Sequence, residues 1–531
     1  MKKNHPMLSK SRLLFGLAAL TVAVGLGQTP DARGAVYKTR INPQWSPDNS
    51  HFWYRNDLAK GQREFILVDV EKGVRKQAFD HRRLAKSLAD AGVRDAQPER
   101  LRLDQLQFDL AKNTVTFRAG GKNFRCDLAT YQLMKLEKPS EKPKTPPVRD
   151  ASKKPKDKAP EKRYRPSRGV SPDGKWRAFT RDHNVFVVAT TGGEEIQLSK
   201  DGKPDRAYQA PYWAANSNNL IAFRVEPGDA GEVYLIESSP REGGRAKLRK
   251  RRYPLPGDKF TTHELNWFDV AKRLQRKPEV GLIDFGGPNL RWTPDGQYVR
   301  YQKIDRGHQR LRVIEVDVFT GSVRNIIDEV AETFIWTQHY QDLGVSKVTW
   351  LDKTNEIAYL SERDGWRHLY LVDVAAGTTK HQITKGEFVV RRVDRIDEEK
   401  RQVWFRASGR NKDQDPYLIH YYRVNFDGTG LIALTEGNGD HSISYSPDGK
   451  YIIDTYSRVD MAPVHELRRV SDGSLVCELE QSDVGELKAS GWEPPEVFTA
   501  KGRDGKTDIW GIICRPRDFD PGKKYPVLED M

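Results

Sequence analysis

Cysteine is scarce in this sequence, with three residues in 531: Cys126, Cys477 and Cys514. An odd number of cysteines at unrelated spacings argues against a disulfide framework, and no cysteine or histidine group has metal-ligand spacing. Cys477 and Cys514 stand within apolar, strand-like runs, which predicts buried and unreactive thiols there. We therefore expect no disulfide scaffold, no metal site and no cofactor.

Long apolar runs are missing too, apart from a short one near the N-terminus. The run LLFGLAALTVAVGLG at residues 13–27 follows four basic residues and precedes small residues such as Gly34 and Ala35. This order is typical of an export signal, and fifteen residues are too few to span a bilayer comfortably. We interpret residues 1–35 as a signal peptide, with an uncleaved N-terminal anchor as the alternative. The mature protein is expected in the periplasm or outside the cell, without further membrane contact.

The formal net charge of +15 is concentrated in two segments. Residues 135–168 hold 13 Lys or Arg against 5 Asp or Glu, and four more basic residues precede residue 13. Only about three positive charges remain for the rest of the chain, so nucleic acid is not an expected partner. The Lys/Pro-rich residues 135–168 cannot form a packed core. They predict a disordered insertion, either a solvated linker or an attachment to an anionic polymer or envelope.

One turn motif recurs along the chain. Its copies are WSPDNS at Trp45, SPDGKW at Ser171, WTPDGQY at Trp292 and YSPDGKY at Tyr445, with more divergent copies at Trp213 and Trp350. Proline presets φ at the second position of a turn and glycine follows, which is typical of a type I β-turn. A strand-like run follows each copy.

A second motif ends the same units. Its copies are LVDVEKG, VVATTGG, VDVFTG, VDVAAG, VNFDG and VSDG, and the last four closing glycines, Gly321, Gly377, Gly428 and Gly473, are 56, 51 and 45 residues apart. These intervals are typical of four-stranded propeller blades, which must stack because one blade cannot bury both of its faces. We therefore predict an all-β fold, a β-propeller of seven to eight blades.

The segment SERDGWRHLYLVDVAAG, residues 361–377, illustrates half of one such blade. Asp364 and Gly365 separate two strand-like runs and predict a tight hairpin turn. Trp366 and Leu369 are expected to pack between blades. The charged residues of the turn are interpreted as a solvated loop rather than a catalytic site, because turns favour polar residues for backbone reasons.

Composition divides the remaining chain into further regions. Residues 36–134 resemble an earlier blade region with an inserted helix, FDHRRLAKSLADAG, for which Asp80 is the expected N-cap and Gly92 the expected stop. Residues 169–490 carry the repeats of the propeller. Residues 491–531 predict the first strands of another domain. Their last strand, PVLEDM, has no polar tail, from which we expect a truncated chain.

Five longer phrases follow one another in order along the sequence. They are FWYRNDLAKGQREFILVD (52–69), RYPLPGDKF (252–260), SERDGWRHLYL (361–371), DHSISYSPDGKYIIDTYSRVDMAP (440–463) and FDPGKKYPVLEDM (519–531). Together they resemble the dipeptidyl peptidase IV branch of the prolyl oligopeptidase family of serine peptidases. The resemblance implies an eight-bladed propeller followed by an α/β-hydrolase domain, of which residues 491–531 would be the first strands. It also implies proteolysis of peptides from their N-terminus and formation of a homodimer.

The catalytic signature of that family is absent from the sequence. A G-x-S-x-G elbow presents the serine, followed along the chain by aspartate and histidine. The closest phrase, around Ser171, has Asp173 where the second glycine should stand. All three triad residues are therefore expected beyond Met531, and this chain alone is expected to be inactive.

The family also holds the amino terminus of its substrate with paired glutamates that precede a W-S-P-D-like turn. The corresponding residues 203–219 contain no glutamate. Glu194 and Glu195 are adjacent, but they belong to a different phrase that predicts a hairpin turn. His339, in WTQHYQDL, is a candidate for lining the substrate cleft, with a histidine of the propeller core as the alternative.

Two functions fit these features. The first is the N-terminal propeller portion of an exported dipeptidyl-peptidase-IV-like serine peptidase, which gates and shapes the cleft for peptide substrates. The alternative is a non-catalytic exported β-propeller for binding or assembly, since a fold does not define a function. The strands predicted at 491–531 favour the first.

Overall fold

The computed structural model of the protein describes residues 36–137, 169–209, 211–229, 231–285, 287–337 and 347–529. In these residues, eight antiparallel sheets of three to five strands follow one another along the chain, each built mainly from strands consecutive in sequence, and two further sheets are two-stranded hairpins. This arrangement is the β-propeller predicted from the repeats, with the sheets as its blades. The predicted signal peptide and nearly all of the predicted insertion at 135–168 lie outside the described residues.

The first four blades have three to five strands each, and a separate hairpin is inserted in the fourth blade. Blade 1 contains β1 (Gln44–Trp45), β2 (His51–Asp57), β3 (Arg63–Asp69) and β4 (Val74–Gln77); blade 2 contains β5 (Asp104–Asp109), β6 (Thr114–Ala119), β7 (Lys122–Asp127) and β8 (Leu133–Leu136); blade 3 contains β9 (Trp176–Arg181), β10 (Asn184–Ala189) and β11 (Ile196–Gln197). Blade 4 contains β12 (Ala207–Tyr208), β13 (Tyr212–Trp213), β14 (Asn219–Glu226), β17 (Thr262–Asp269) and β18 (Leu274–Arg276), while β15 (Glu232–Glu237) and β16 (Lys247–Arg252) form a separate hairpin.

The other four blades have four strands each. Blade 5 contains β19 (Arg291–Trp292), β20 (Tyr298–Ile304), β21 (Arg310–Asp317) and β22 (Val323–Val330); blade 6 contains β23 (Val348–Leu351), β24 (Glu356–Ser361), β25 (His368–Asp373) and β26 (Thr378–Gln382). Blade 7 contains β27 (Val389–Asp397), β28 (Gln402–Ser408), β29 (Ile419–Asn425) and β30 (Ile432–Ala433); blade 8 contains β31 (Asp440–Tyr445), β32 (Tyr451–Arg458), β33 (Met461–Arg469) and β34 (Leu475–Gln481).

The Ser-Pro-Asp-Gly motif forms a turn that is followed by a strand, as predicted. In blade 8 the Ser446 hydroxyl donates to Asp448 at 2.6 Å and accepts from the Tyr451 amide at 3.0 Å. The Ser171 hydroxyl makes the same two types of bond in blade 3. Gly449 follows with φ of +72°, in the left-handed region that favours glycine. One serine side chain thus makes two of the hydrogen bonds that hold the turn in place.

The glycine of this turn can be tested in blade 3. Gly174 has φ of +76°, and a Cβ added there would meet no atom within 4 Å. Gly174→Ala is therefore expected to lower the free energy of unfolding by about 1 kcal/mol through backbone strain alone, measured by urea denaturation. Gly231→Ala is the control, because that glycine also has open space but not a left-handed φ. Equal losses in both variants would contradict the strain argument.

Buried apolar clusters fill the junctions between blades. Leu369 and Leu371 of blade 6, for example, pack with Phe405 of blade 7, and each of these side chains is fully buried. Burying one such side chain contributes about 1.5–3 kcal/mol. Clusters of this kind join blade 1 to blade 2 and every consecutive pair from blade 3 to blade 8. Within the described ranges, blades 2 and 3 share no such cluster.

The ring is closed by packing of blade 8 against blade 1. Phe52 and Val68 of blade 1 share a buried cluster with Leu467 and Leu479 of blade 8. The sheets of the two blades remain separate, so no strand is exchanged at this junction. The two blades are therefore joined by side-chain contacts across the junction and not by a shared strand ladder.

Residues 36–134 form two blades rather than one interrupted blade. Between them lies helix α1 (His81–Asp90), whose N-cap Asp80 accepts hydrogen bonds from two backbone amides. Gly92 follows the helix with φ of +74°. The predicted helix and both of its boundary residues are therefore confirmed. The sequence predicted one blade in this region, whereas the structure has two.

Beyond the ring, the short helix α2 (Gly485–Ala489) leads to the hairpin of β35 (Glu496–Lys501) and β36 (Asp508–Ile513). The predicted strand in PVLEDM is wrong for the residues described there, because 526–529 form no strand and the side chains of Val527 and Leu528 are 87% and 89% exposed. A strand needs a partner for its backbone groups, and the described residues place none beside this segment. The helices of the described part are too short or too polar to cross a membrane.

The three cysteines differ in exposure. Cys126 is buried and Cys477 is half-buried, and burial raises the pKa of each thiol to about 11. These two thiols are therefore unreactive, as predicted for Cys477. Cys514 was expected to be buried and is exposed, because it follows the largely exposed hairpin of β35 and β36.

Candidate functional site

The longest loops between strands lie at one end of the ring. Because consecutive strands run antiparallel, the loops between second and third strands emerge at the same end as the connections between blades. We call this end the exit face, since the chain leaves β34 there toward α2. The chain also reaches the ring here, where Tyr37 bridges to Asp483 and its hydroxyl donates to Glu486 at 2.7 Å.

A buried histidine–carboxylate cluster lies near the exit face of blades 7 and 8. Nδ1 of His441 is 2.9 Å from Asp454, and both side chains are completely buried. The His420 ring lies 4.5 Å from the His441 ring, and the Tyr456 ring stacks on the His441 ring at 4.9 Å. Burial raises the pKa of Asp454, although the neighbouring His441 acts in the opposite direction. The register between β31 and β32 brings His441 and Asp454 together. The sequence analysis did not predict this cluster.

The cluster makes folding sensitive to acid through His420. Burial, followed by the charge of His441, lowers the pKa of His420 to about 4 from an ordinary 6.5. The unfolded chain therefore binds a proton between these values that the folded chain does not, so stability falls as the pH drops through this range. Lowering the pH from 7 to 5 is expected to cost about 2 kcal/mol at this residue.

His420→Gln isolates this contribution. His81 and His465 also have a pKa lowered by burial, so the wild-type protein should lose stability on acidification for several reasons. The variant should lose less than the wild type between pH 7 and pH 5 in urea denaturation. Parallel losses in the two proteins would show that His420 is protonated alike in the folded and unfolded states.

Several buried histidines have a structural role at the exit face. In blade 6, Nδ1 of His368 is 3.1 Å from the Thr384 hydroxyl, which also accepts from the Leu369 amide at 2.9 Å. His420 faces Thr435 in the same way in blade 7. Each pair links the start of a third strand to the connection toward the next blade. These contacts account for the histidine at the start of the third strand in both blades.

A cavity of about 330 Å³ opens at the exit face beside helix α1. Its lining includes Glu64, His81 and Glu99. Burial lowers the pKa of His81, and its Nε2 accepts from the Phe65 amide at 3.3 Å. A neutral imidazole is thereby fixed in the wall. The cavity offers charged groups of both signs, and the described residues provide no group of three ligands suited to a metal ion.

Aromatic side chains from several loops line another part of the exit face. Phe285 lies 4.8 Å from His308, whose ring lies 5.3 Å from that of Phe334. Phe334 is 46% exposed. Trp366, in the loop between β24 and β25, is 40% exposed, so its predicted packing between blades is wrong. Trp366 lies in the turn before β25 and not in the strand itself, so its ring is not packed between the sheets. These rings can bind apolar or aromatic groups of a ligand.

The region expected to hold a substrate amine has no free carboxylate pair among its described residues. Residues 203–219 form β12, β13 and the turn before β14. The nearby carboxylates of Asp201 and Glu264 both contact Arg224, at 2.7 and 2.5 Å. Arg224 and Glu264 face each other in register, a pairing that the sequence alone could not reveal.

The other predicted site residues are placed as follows. Glu195 is exposed and pairs with Arg181 at 2.5 Å, in keeping with a surface turn. His339, the candidate for lining the cleft, lies outside the described residues. The structure therefore brings neither of them into a described site.

A Ser–His–Asp succession does occur on the opposite end of the ring, but its geometry is that of a turn. The Ser50 hydroxyl lies 2.9 Å from Nδ1 of His51, whose Nε2 is 3.4 Å from Asp69. The same hydroxyl donates to Asp48 at 2.8 Å, so its proton is directed to a carboxylate rather than to the imidazole. A serine in this arrangement is not an activated nucleophile.

Comparison with known proteins agrees with this architecture. The sequence model of the family described as Dipeptidyl peptidase IV (DPP IV) N-terminal region matches residues 111–463. The match covers well over half of the chain and spans blade 2 to the third strand of blade 8. The chain is thus a β-propeller protein, and its family is the one that the ordered phrases of the sequence resemble. It belongs to the dipeptidyl peptidase IV N-terminal region family.

The individual relatives have low sequence identity to this chain, and the match covers less than half of their length. A probable dipeptidyl peptidase 4 of Aspergillus fumigatus (strain CBS 144.89) is 25% identical over 389 residues, which cover 67% of this chain and 49% of the relative. A probable dipeptidyl-aminopeptidase B of Ajellomyces dermatitidis is 24% identical over 410 residues, covering 67% and 42%. The chain spans about half the length of the curated relatives it matches. The crystal structure of Porphyromonas gingivalis dipeptidyl peptidase 4 superposes with a TM-score of 0.47 at 17% identity, covering 93% of this chain and 67% of that one.

Proposed function

We propose that this chain is the propeller portion of an exported, dipeptidyl-peptidase-like serine enzyme that acts at the N-terminus of peptides. The family match over residues 111–463 carries the proposal. The match covers only 49% and 42% of the length of two relatives, which supports a catalytic domain beyond the matched propeller. The chain itself contains no G-x-S-x-G elbow and should hydrolyse nothing alone.

The exit face would form one wall of the substrate cleft. It carries the chain toward α2 and the hairpin of β35 and β36, so a following domain would be tethered at this end. The exposed rings of Phe334 and Trp366 would contact apolar side chains of a peptide. In this role the propeller excludes folded proteins and orients short peptides, while the nucleophile comes from the second domain.

Recognition of the peptide amine should be weak. Two charge-assisted hydrogen bonds from paired carboxylates to an ammonium would be worth about 3 kcal/mol or more, or roughly a hundredfold in binding. The carboxylates of blade 4 described above are engaged by Arg224 instead. We therefore propose that acetylation of the peptide amine reduces the cleavage rate of the complete enzyme by less than about tenfold.

The decisive experiment begins with the DNA downstream of the Met531 codon. A G-x-S-x-G elbow followed by aspartate and histidine is expected in frame, and the joined protein should release N-terminal fragments from short peptides. The chain ending at Met531 is the control and should show no hydrolysis. Unrelated downstream sequence, or an inactive joined protein with a complete triad, would contradict the proposal.

The second candidate is a non-catalytic exported propeller that binds a protein or assembles as a homodimer. The exposed aromatic rings of the exit face favour it, because they would serve protein contact as well as peptide contact. The same experiment distinguishes the two functions. Unrelated sequence after Met531, together with specific binding by the chain alone, would support this second candidate.

A further inference from the structure

The cavity of about 330 Å³ beside helix α1 is formed by four segments of the exit face. These are the loop between β2 and β3, the end of β4, the start of α1 and a turn of 3-10 helix at Pro98–Arg100. Its volume lies at the lower end of the range for small-molecule sites. Six lining residues offer their side chains to a ligand there: Leu58, Gln62, Gln77, Arg82, Pro98 and Glu99.

The walls of the cavity are fixed without a ligand. The Leu58 amide donates to the Gln62 carbonyl at 2.8 Å, which closes the loop between β2 and β3. The Asp80 carboxylate caps α1, and Nε2 of His81 accepts from the Phe65 amide at 3.3 Å. A ligand therefore does not have to order these segments, which lowers the entropic cost of binding.

Some polar groups of the wall are engaged and others are not. Glu64 accepts from Asn56 at 2.8 Å and pairs with Lys38 at 3.0 Å. Four other lining side chains have no polar partner in the part of the chain that the structure describes: Gln62, Gln77, Arg82 and Glu99. They provide two carboxamides, one guanidinium and one carboxylate for contact with a ligand.

The wall carries charges of both signs and no net charge. The Glu64–Lys38 pair is neutral, and two arginines balance two carboxylates: Arg63, Arg82, Asp80 and Glu99. His81 adds no charge near neutral pH, because burial lowers its pKa. A purely anionic or purely cationic ligand would therefore meet a group of its own charge, whereas a molecule with one charge of each sign is complementary.

We propose that this cavity binds a small zwitterion with a free ammonium and a free carboxylate, either an amino acid or a dipeptide. Arg82 pairs with its carboxylate and Glu99 with its ammonium. The carboxamides of Gln62 and Gln77 bind a peptide group, and Leu58 contacts an apolar side chain. Binding requires only the propeller, so it does not depend on whether a catalytic domain follows.

The experiment is isothermal titration of the full chain with four related compounds: leucine, glycyl-leucine, N-acetyl-leucine and leucinamide. N-acetyl-leucine lacks the ammonium and leucinamide lacks the carboxylate. Each of these two should bind at least about tenfold more weakly than leucine, because one charge-assisted contact is lost. The tighter binder of leucine and glycyl-leucine shows whether a free amino acid or a dipeptide is the preferred ligand.

Two charge-removing variants assign the contacts. Arg82→Gln should weaken binding of leucine at least about tenfold but cause no further loss for leucinamide, which has no carboxylate to contact. Glu99→Gln should weaken binding of leucine similarly and cause no further loss for N-acetyl-leucine, which has no ammonium. A merely structural role of either residue would weaken binding of all four compounds alike.

Lys72→Gln and Glu399→Gln are the matched controls, since both side chains are 78% exposed and lie outside the cavity. They should leave the affinity for every compound unchanged. Arg82 and Glu99 are themselves exposed, so their variants should unfold at the same temperature as the wild type. An unchanged unfolding temperature shows that a loss of binding is not a loss of folding.

Three results would overturn the proposal. They are no binding of leucine or glycyl-leucine at about 10 mM, equal affinity for all four compounds, and equal affinity of the cavity variants and the controls for the zwitterions. The last result would place zwitterion binding elsewhere on the chain.

Discussion

Glu480→Ala is expected to lower the free energy of unfolding by about 3–5 kcal/mol. The carboxylate is nearly buried at the junction of blades 8 and 1. It accepts hydrogen bonds from Tyr54 at 2.9 Å and Asn56 at 2.7 Å, and it pairs with Lys38 at 3.1 Å and with Arg75. Without it, two cations and two polar groups in the closing junction lose a shared partner, which costs more than the pair itself contributes.

The pH dependence of this junction follows from the same contacts. Burial alone would raise the pKa of Glu480, but the hydrogen bonds and charge of Arg75 outweigh it and the pKa lies below its ordinary value. A carboxyl group with a lowered pKa stabilises the fold above its unfolded pKa and loses this contribution as the pH falls. Glu480→Ala should therefore show a smaller loss of stability between pH 5 and pH 3 than the wild type.

Glu399→Ala is the matched control for Glu480. Its carboxylate also pairs with a lysine, Lys353, at 2.6 Å, but the side chain is 78% exposed. Exposed pairs contribute little, so urea denaturation should show a change below about 1 kcal/mol. Similar losses in both variants would mean that the closing junction does not depend on its buried charge.

Asp454→Leu is the second substitution with a large expected effect, again about 3–5 kcal/mol. It leaves His441 buried without its carboxylate and removes a charge 4.0 Å from Arg468. His441→Phe in the same chain should restore most of the loss, because an apolar pair of similar volume avoids burying an unpaired polar ring. A double variant as unstable as the sum of the two single variants would show that the histidine and aspartate are not coupled.

Much of the fold could be predicted from the sequence, because its signals are local. The Ser-Pro-Asp-Gly turn fixes its own conformation through one hydroxyl, and Asp80 caps helix α1 within three residues. The prediction of seven to eight blades follows from the repetition of such signals, although residues 36–134 contain two blades where the sequence predicted one. The exposure of Trp366 and Cys514 was not predictable in this way, because burial depends on neighbours that approach from other parts of the chain.

The candidate site depends almost entirely on such distant neighbours. Asp454 meets His441 only because β31 and β32 pair in one register, and His420 joins them from the neighbouring blade 7. A shift of one residue would separate these side chains. The family phrases identified the class of protein, whereas they could not show that Arg224 occupies the carboxylates of blade 4.

The closure of the ring also has a kinetic consequence. Tyr54 pairs with Ile66 inside blade 1, but its hydroxyl reaches Glu480, 426 positions away. Contacts between distant residues form late because the intervening chain must first be ordered. The individual blades should therefore fold early, and the junction of blades 8 and 1 should form last. Substitutions there should mainly speed unfolding and leave the folding rate nearly unchanged.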